Sequence, residues 1–114
     1  MIVNKPWGWY KDLKRTPNVV VKEIYIKPFS RFSLQKHSNR EECWYVVKGI
    51  GKLTLGSQIH TVGPGDSYII EKEVVHRLEA YSDGLTFVEI QRGECFEDDI
   101  ERIEDDFGRS IQSS

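Results

Sequence analysis

The stretch FSLQKHSNREECWYVVKG, residues 32–49, decides how the chain is read. Ten of its residues hold Gln35, His37, Arg40, Glu42 and Trp44. Residues 32–37 read as a strand, and side chains alternate across a strand, so Ser33, Gln35 and His37 share one face. A polar corner at residues 38–41 follows. Residues 42–48 read as the next strand, with Glu42, Trp44 and Val46 on one face. Gln35 and His37 therefore aim at one space, and Glu42 can point back at it from the neighbouring strand. A second histidine, His76, opens a later strand in EKEVVHRLEA, where a closed barrel would bring it opposite. Two imidazoles, a carboxylate and an amide oxygen suit a divalent ion such as zinc, manganese or iron. Spacing alone leaves a plainer reading open, in which His37 is a partly buried hydrogen-bonding residue.

Outward from this stretch the chain reads as short strands broken by Gly and Pro turns. Residues 19–27 (VVVKEIYIK) are β-branched, with apolar alternation from Lys22 onward. Gly49-Ile50-Gly51 marks a bend or bulge. Residues 52–55 and 58–62 form a hairpin across Gly56-Ser57. Gly63-Pro64-Gly65-Asp66 is a turn, and residues 67–70 a short strand ending in the charged corner Glu71-Lys72-Glu73. Residues 75–80 and 85–91 are strands separated by a turn at residues 81–84. No sustained helical period occurs before residue 96. The pattern predicts an all-β sandwich or barrel. Residues 1–18, rich in turn residues, read as an irregular N-terminal arm. Residues 19–95 read as the barrel. Residues 96–114 read as an acidic tail, either a short helix or a segment lying along the barrel, with 110–114 disordered.

Composition narrows the class. At 114 residues the chain is one domain. Its formal net charge of −2 gives no reason to expect nucleic acid or membrane as a partner. Eight of the 18 acidic residues lie between Glu94 and Asp106. The start lacks the apolar core of a signal peptide, and no stretch has the roughly 20 apolar residues of a membrane span. Two cysteines, Cys43 and Cys95, make no disulfide framework, so a reduced, cytoplasmic protein is expected. Cys43 alternates away from Glu42 and is expected to be a core or interface thiol.

Several motifs carry a resemblance. His37, Glu42 and Gly49 match the first cupin motif; Gly65 and His76 match the second. Lys5-Pro6-Trp7-Gly8, Ser33-Leu34-Gln35-Lys36-His37, Arg40-Glu41-Glu42-Cys43-Trp44, Val75-His76-Arg77-Leu78-Glu79, Glu89-Ile90-Gln91-Arg92-Gly93, Glu97-Asp98-Asp99-Ile100 and Phe107-Gly108-Arg109 follow in order. Over about residues 5–109 the chain resembles the mannose-6-phosphate isomerase domain that closes the bifunctional phosphomannose isomerase/GDP-mannose pyrophosphorylase proteins. The resemblance implies a cupin, a double-stranded β-helix (jelly-roll) barrel, with Gln35, His37, Glu42 and His76 as metal ligands. It also implies that only the isomerase part is present, without a nucleotidyltransferase domain. Zinc is the expected ion, with cobalt, manganese, nickel or iron as alternatives.

The implied reaction interconverts mannose 6-phosphate and fructose 6-phosphate by moving a proton between C1 and C2. For the phosphate the options are Arg40, Arg77 and Arg109, and the resemblance favours Arg40 and Arg109. Arg77 alternates away from His76 and is expected at a solvated surface or interface. Lys36, Glu42, Glu71 and Glu73 are candidate bases. The chain departs from the family's pattern at Ser38-Asn39, where relatives often continue a run of histidines, and at Glu71 and Glu73, where Pro and Gly are usual. The rival readings are a non-catalytic sugar or sugar-phosphate binding cupin, and another cupin chemistry such as an iron oxygenase or an epimerase. Trp7 and Trp9 near Pro6 suggest a homodimer paired through an edge strand or the N-terminal arm.

Overall fold

The computed structural model describes residues 1–94 and 99–108. Nine strands run in order: β1 Ile2–Lys5, β2 Gly8–Arg15, β3 Val19–Ile26, β4 Leu34–Lys36, β5 Arg40–Leu55, β6 Gln58–Val62, β7 Ser67–Ile70, β8 His76–Gly93 and β9 Glu101–Glu104. No helix occurs among the described residues. All pairings are antiparallel, in the order β1-β2-β3-β8-β4-β9, with β5 joining β8, β6 and β7. The two long strands, β5 and β8, lie side by side from Arg40↔Gly93 to Leu55↔His76, and the sheet curls around them.

Alternation decides what faces in. On β3, Val20, Lys22, Ile24 and Ile26 are buried while their neighbours are only half-buried. On the first half of β5 the buried set is Arg40, Glu42, Trp44 and Val46, and on the later half of β8 it is Leu85, Phe87, Glu89 and Gln91. Along β5 the inward residues run from polar to apolar, and along the antiparallel later half of β8 from apolar to polar, so Arg40, Glu42, Glu89 and Gln91 gather at one end of the barrel. The apolar end holds Val46, Leu53, Leu78, Ala80, Leu85 and Phe87. Phe32 joins the two regions, with its ring edge-on to Trp7 at 5.9 Å and to Trp44 at 5.8 Å.

Several expectations change. Residues 1–18 are not irregular, since β1 and β2 form a hairpin across Pro6-Trp7 and β2 pairs with β3. Trp7 is buried in the core and Trp9 stacks on Tyr25 at 5.9 Å. Polar, turn-rich residues become strands here because β3 supplies an edge to pair with. The turn expected at residues 81–84 is an excursion within the continuous strand β8, opposite the irregularity between Gly49 and Gly51 of β5. Cys43 is exposed, so the core reading of its thiol does not hold.

The acidic tail lies on the barrel as a strand, β9 pairing with β4 at Leu34, Gln35 and Lys36. Arg77 fixes it. The Arg77 guanidinium donates to the Phe32 carbonyl at 3.0 Å and to the Glu104 carbonyl at 3.1 Å. Arg77 is 6 % exposed, against the solvated position expected from alternation. The tail buries the outward face of β8 at that point. Residues 96–98 and 109–114, which include Arg109 and the predicted disordered end, lie outside the described residues, as does Cys95.

Gly49 sits at φ +93°, where a Cβ would collide with the Gly84 carbonyl oxygen. Gly49→Ala should therefore cost on the order of 2–4 kcal/mol, since it adds a backbone clash to left-handed strain. Urea unfolding of the variant against the parent measures this, and a loss below ~0.5 kcal/mol would contradict the packing of β5 on β8.

Candidate metal centre

His37, Glu42 and His76 meet inside the polar end of the barrel. One ligand atom from each lies within 4.8 Å of the others. Glu42 comes from β5, His76 opens β8, and His37 follows β4, whose Gln35 is the cross-strand partner of His76. The two imidazoles face different oxygens of one carboxylate. His37 Nε2 is 3.3 Å from Glu42 Oε2, and His76 Nε2 is 3.9 Å from Glu42 Oε1.

The backbone fixes the tautomers. His37 Nδ1 lies 2.5 Å from the Asp99 carbonyl oxygen, and His76 Nδ1 lies 2.9 Å from that of Val74. A carbonyl only accepts, so Nδ1 carries the proton in both rings and each Nε2 presents a lone pair to the cluster. This is the outer hydrogen bonding that orients ligating histidines. Asp99 further ties the tail to the corner, since its carboxylate accepts from the Ser38 and Asn39 amides at 3.1 and 2.8 Å.

Glu42 is held from its own strand. Arg40 Nε donates to Oε2 at 3.0 Å and Trp44 Nε1 donates to Oε1 at 3.0 Å. His76 Nε2 is buried and has no hydrogen-bond partner among the described residues. A buried acceptor without a partner calls for an explanation, and an ion supplies one. Two neutral imidazole nitrogens and a carboxylate are a donor set for a divalent transition ion. Burial pushes the His37 pKa down to about 4, helped by the nearby Arg40 charge, and burial lowers that of His76 as well. Both rings are thus neutral, the state a ligand needs.

A cavity of about 190 Å³ opens on this cluster. Gln35 and Arg40 line it with the three cluster residues. Lys36 does not line it; its ammonium pairs outward with Glu73 at 3.3 Å and Glu101 at 3.8 Å, because it alternates away from Gln35. Glu71 and Glu73 are exposed at their corner. Arg109 is outside the described residues.

The far wall is a set that sequence reading passed over. It contains Lys22 from β3, Glu89 and Gln91 from β8, Tyr10 from β2, and Ile100 and Arg102 from the tail. Glu89 Oε1 accepts from Trp44 Nε1 at 3.1 Å, and Glu89 Oε2 accepts from Gln91 Nε2 at 2.5 Å. Burial, and then the Glu42 charge, raise the Glu89 pKa to about 7. A signal was available. Lys22, Glu89 and Gln91 occupy inward positions of strands whose other inward residues are apolar.

A curled antiparallel barrel with two histidines and a glutamate converging inside one end is a cupin. Solved structures agree on the fold. The structure of KdgF from Halomonas sp. is 16 % identical with a TM-score of 0.78, over 86 % of this chain and 91 % of that one. Oxalate decarboxylase from Bacillus subtilis is 18 % identical with a TM-score of 0.81, over 90 % of this chain and 30 % of that one. Within this class, the family model "Mannose-6-phosphate isomerase C-terminal" matches residues 1–105, and the chain belongs to that family.

Curated relatives include the alginate biosynthesis protein AlgA of Pseudomonas aeruginosa, 38 % identical over 112 residues. The xanthan biosynthesis protein XanB of Xanthomonas campestris is 37 % identical over 110 residues. These matches cover 96 % and 95 % of this chain but 23 % and 24 % of the relatives, so the chain spans about a quarter of their length.

The buried groups set opposing pH dependences in metal-free protein. His37, at about 4 when folded against 6.5 when exposed, is protonated between those values only in the unfolded chain. It makes stability rise with pH there, and His76 acts in the same direction. Glu89, at about 7 against 4.5, keeps its proton longer when folded and makes stability fall as pH rises through that window. Glu89→Gln removes the falling contribution. Its unfolding free energy relative to the parent should therefore improve between pH 4.5 and 8, by on the order of 2–3 kcal/mol. Urea titrations at those two pH values read the change, and a pH-independent difference would refute it.

Proposed function

We propose that the chain is a metal-dependent aldose–ketose isomerase that interconverts mannose 6-phosphate and fructose 6-phosphate. The observation that carries this reading is the convergence of His37, Glu42 and His76 in one cavity of a chain in this family. His37, Glu42, His76 and Gln35 would hold the ion, with zinc first and cobalt, manganese, nickel or iron as alternatives. Bound there, a divalent ion supplies polarisation of the sugar oxygens at C1 and C2.

The chain's own residues do the rest. Arg40 and Trp44 hold the Glu42 carboxylate in place. The cavity, at about 190 Å³, is below the roughly 300–1,000 Å³ of pockets for drug-sized ligands, which favours a monosaccharide over a nucleotide sugar. Lys5, Lys22, Arg40 and Arg102 line it and bring positive charge for a phosphate. Arg109 keeps the phosphate role that the resemblance implies. Tail residues Ile100 and Arg102 line one side of the cavity.

The test is conversion of mannose 6-phosphate by protein loaded with zinc, cobalt or manganese, with fructose 6-phosphate detected directly and metal content measured. Metal-dependent product is expected, falling at least ~100-fold with metal loss in His37→Ala and His76→Ala. Folded, metal-loaded protein that binds the sugar phosphate without product would replace the enzyme with a sugar-phosphate binding cupin.

A cytoplasmic homodimer belongs to the same proposal. Trp7 is buried within the chain and Trp9, half-buried, stacks on Tyr25, so of the two a contact through the N-terminal strands would rest on Trp9. The outward face of the sheet offers another: Ile69, Cys43, Ile90 and Val21 form one cross-strand row, with Ile69 63 % and Ile90 43 % exposed. Light scattering should give twice the chain mass, and Ile69→Glu with Ile90→Glu should give the single mass. A monomeric parent refutes this.

A further inference from the structure

We propose that Glu89 is the carboxylate that carries the proton between C1 and C2 of the sugar phosphate, and that Gln91 positions the neighbouring hydroxyl. The proposal rests on the isomerase reading and names a group for the step which that reading leaves without one.

The isomerisation needs a base that reaches a carbon-bound proton. Among the described residues lining the cavity, the carboxylates are Glu42 and Glu89. Both oxygens of Glu42 already accept a hydrogen bond, Oε2 from Arg40 and Oε1 from Trp44, and the carboxylate faces the two histidine Nε2 lone pairs across the site proposed for the ion. The two imidazoles have Nδ1 committed to carbonyls and Nε2 turned to Glu42. Glu89 stands outside that cluster, yet it is joined to it by one group, since Trp44 Nε1 donates to both Glu42 Oε1 and Glu89 Oε1. Trp44 donates to Oε1 of Glu89 and Gln91 to Oε2, whereas a carboxylate has about four acceptor sites. Lone pairs remain for a substrate proton.

A second observation points to a ligand at this wall. Gln91 is 1 % exposed, and its Oε1 has no hydrogen-bond partner among the described residues. Its Nε2 donates to Glu89, which fixes the direction of the amide. A buried carbonyl oxygen left unpaired costs roughly 1–3 kcal/mol, and a sugar hydroxyl would satisfy it. The same side chain therefore holds the carboxylate and offers an acceptor to a hydroxyl beside it. The charged and titratable groups facing Glu89 include Glu42 and Arg40 from β5, the His37 and His76 imidazoles, and Lys22 from β3, the last its cross-strand partner. Lys22 is steadied over the Tyr10 ring at 4.1 Å.

The step balances without any further reactant. Glu89 takes the proton from C2 of the open-chain aldose. The C2–H electron pair forms the C1=C2 bond, and the C1=O π pair moves onto O1. In the second half, the O2 hydroxyl proton passes to O1 and C2=O forms. The C1=C2 pair then takes the proton from Glu89 at C1. Hydrogen has moved from C2 to C1 and from O2 to O1, with no net oxidation.

The test is turnover in D₂O by metal-loaded Glu89→Gln, Glu89→Asp, Gln91→Leu and parent protein. Glu89→Gln should lose 10²–10⁴-fold in kcat and the same factor in deuterium incorporation at C1 and C2, with metal content and KM within about threefold of the parent. Gln91→Leu should raise KM more than it lowers kcat. A Glu89→Gln variant with bound metal and kcat within tenfold of the parent overturns the assignment. If that variant fails to fold or to load metal, Glu89→Asp decides, because its carboxylate is drawn back by one methylene. A kcat at least tenfold down supports the assignment, and an unchanged kcat overturns it. An inactive parent refutes the isomerase reading instead, and the parent sample alone reveals that.

Discussion

A buried carboxylate must be partnered, and the polar end of this barrel is built around that requirement at Glu42, 2 % exposed. Desolvating an isolated carboxylate costs several kcal/mol even after relaxation. Arg40 and Trp44, two residues before and after on the same strand face, each give it a hydrogen bond. Both histidines turn their Nε2 toward it. The period of two along β5 thus supplies the scaffold of the site from one stretch of chain. The bond made by Trp44 extends the network to Glu89 and then Gln91. A change at Glu42 would leave Arg40 buried without that partner, so the residue bears on stability as well as chemistry.

The tail completes what β5 begins. The Asp99 carbonyl sets the His37 tautomer, its carboxylate caps the Ser38 and Asn39 amides, and β9 pairs with β4 on the way out. Arg77 locks the end of β9 from below. A segment that reads in sequence as an acidic tail therefore holds a site residue in position. Its many carboxylates find local cations, among them Arg31 for Asp106 and Lys36 for Glu101.

That Gln35, His37, Glu42 and His76 line one cavity was legible because β5 alternates cleanly and the motif spacing is preserved. The inward Lys22, Glu89 and Gln91 sat in strands that were read correctly. Alternation sorts their strands into two faces, but nothing local distinguishes an interior from an exterior face when the interior is itself polar, so the sequence assigns these residues no place in the site. Lys36 shows the converse. Adjacency to two proposed ligands suggested a role, but alternation sends it to the other side of β4. The N-terminal hairpin was missed because its residues have weak strand propensity and gain their pairing only from β3, as context outweighs propensity in sheets.

By itself the sequence determined the β period, the glycine bends at Gly49, Gly56 and Gly65 and the donor types, because these depend on neighbours within a few residues. The tertiary structure decided which faces became the interior, which carbonyl fixed each imidazole, and which second carboxylate entered the cavity. Those outcomes depend on pairs such as Gln35 with His76, Lys22 with Glu89 and His37 with Asp99, which lie 41, 67 and 62 residues apart and meet only when the sheet closes.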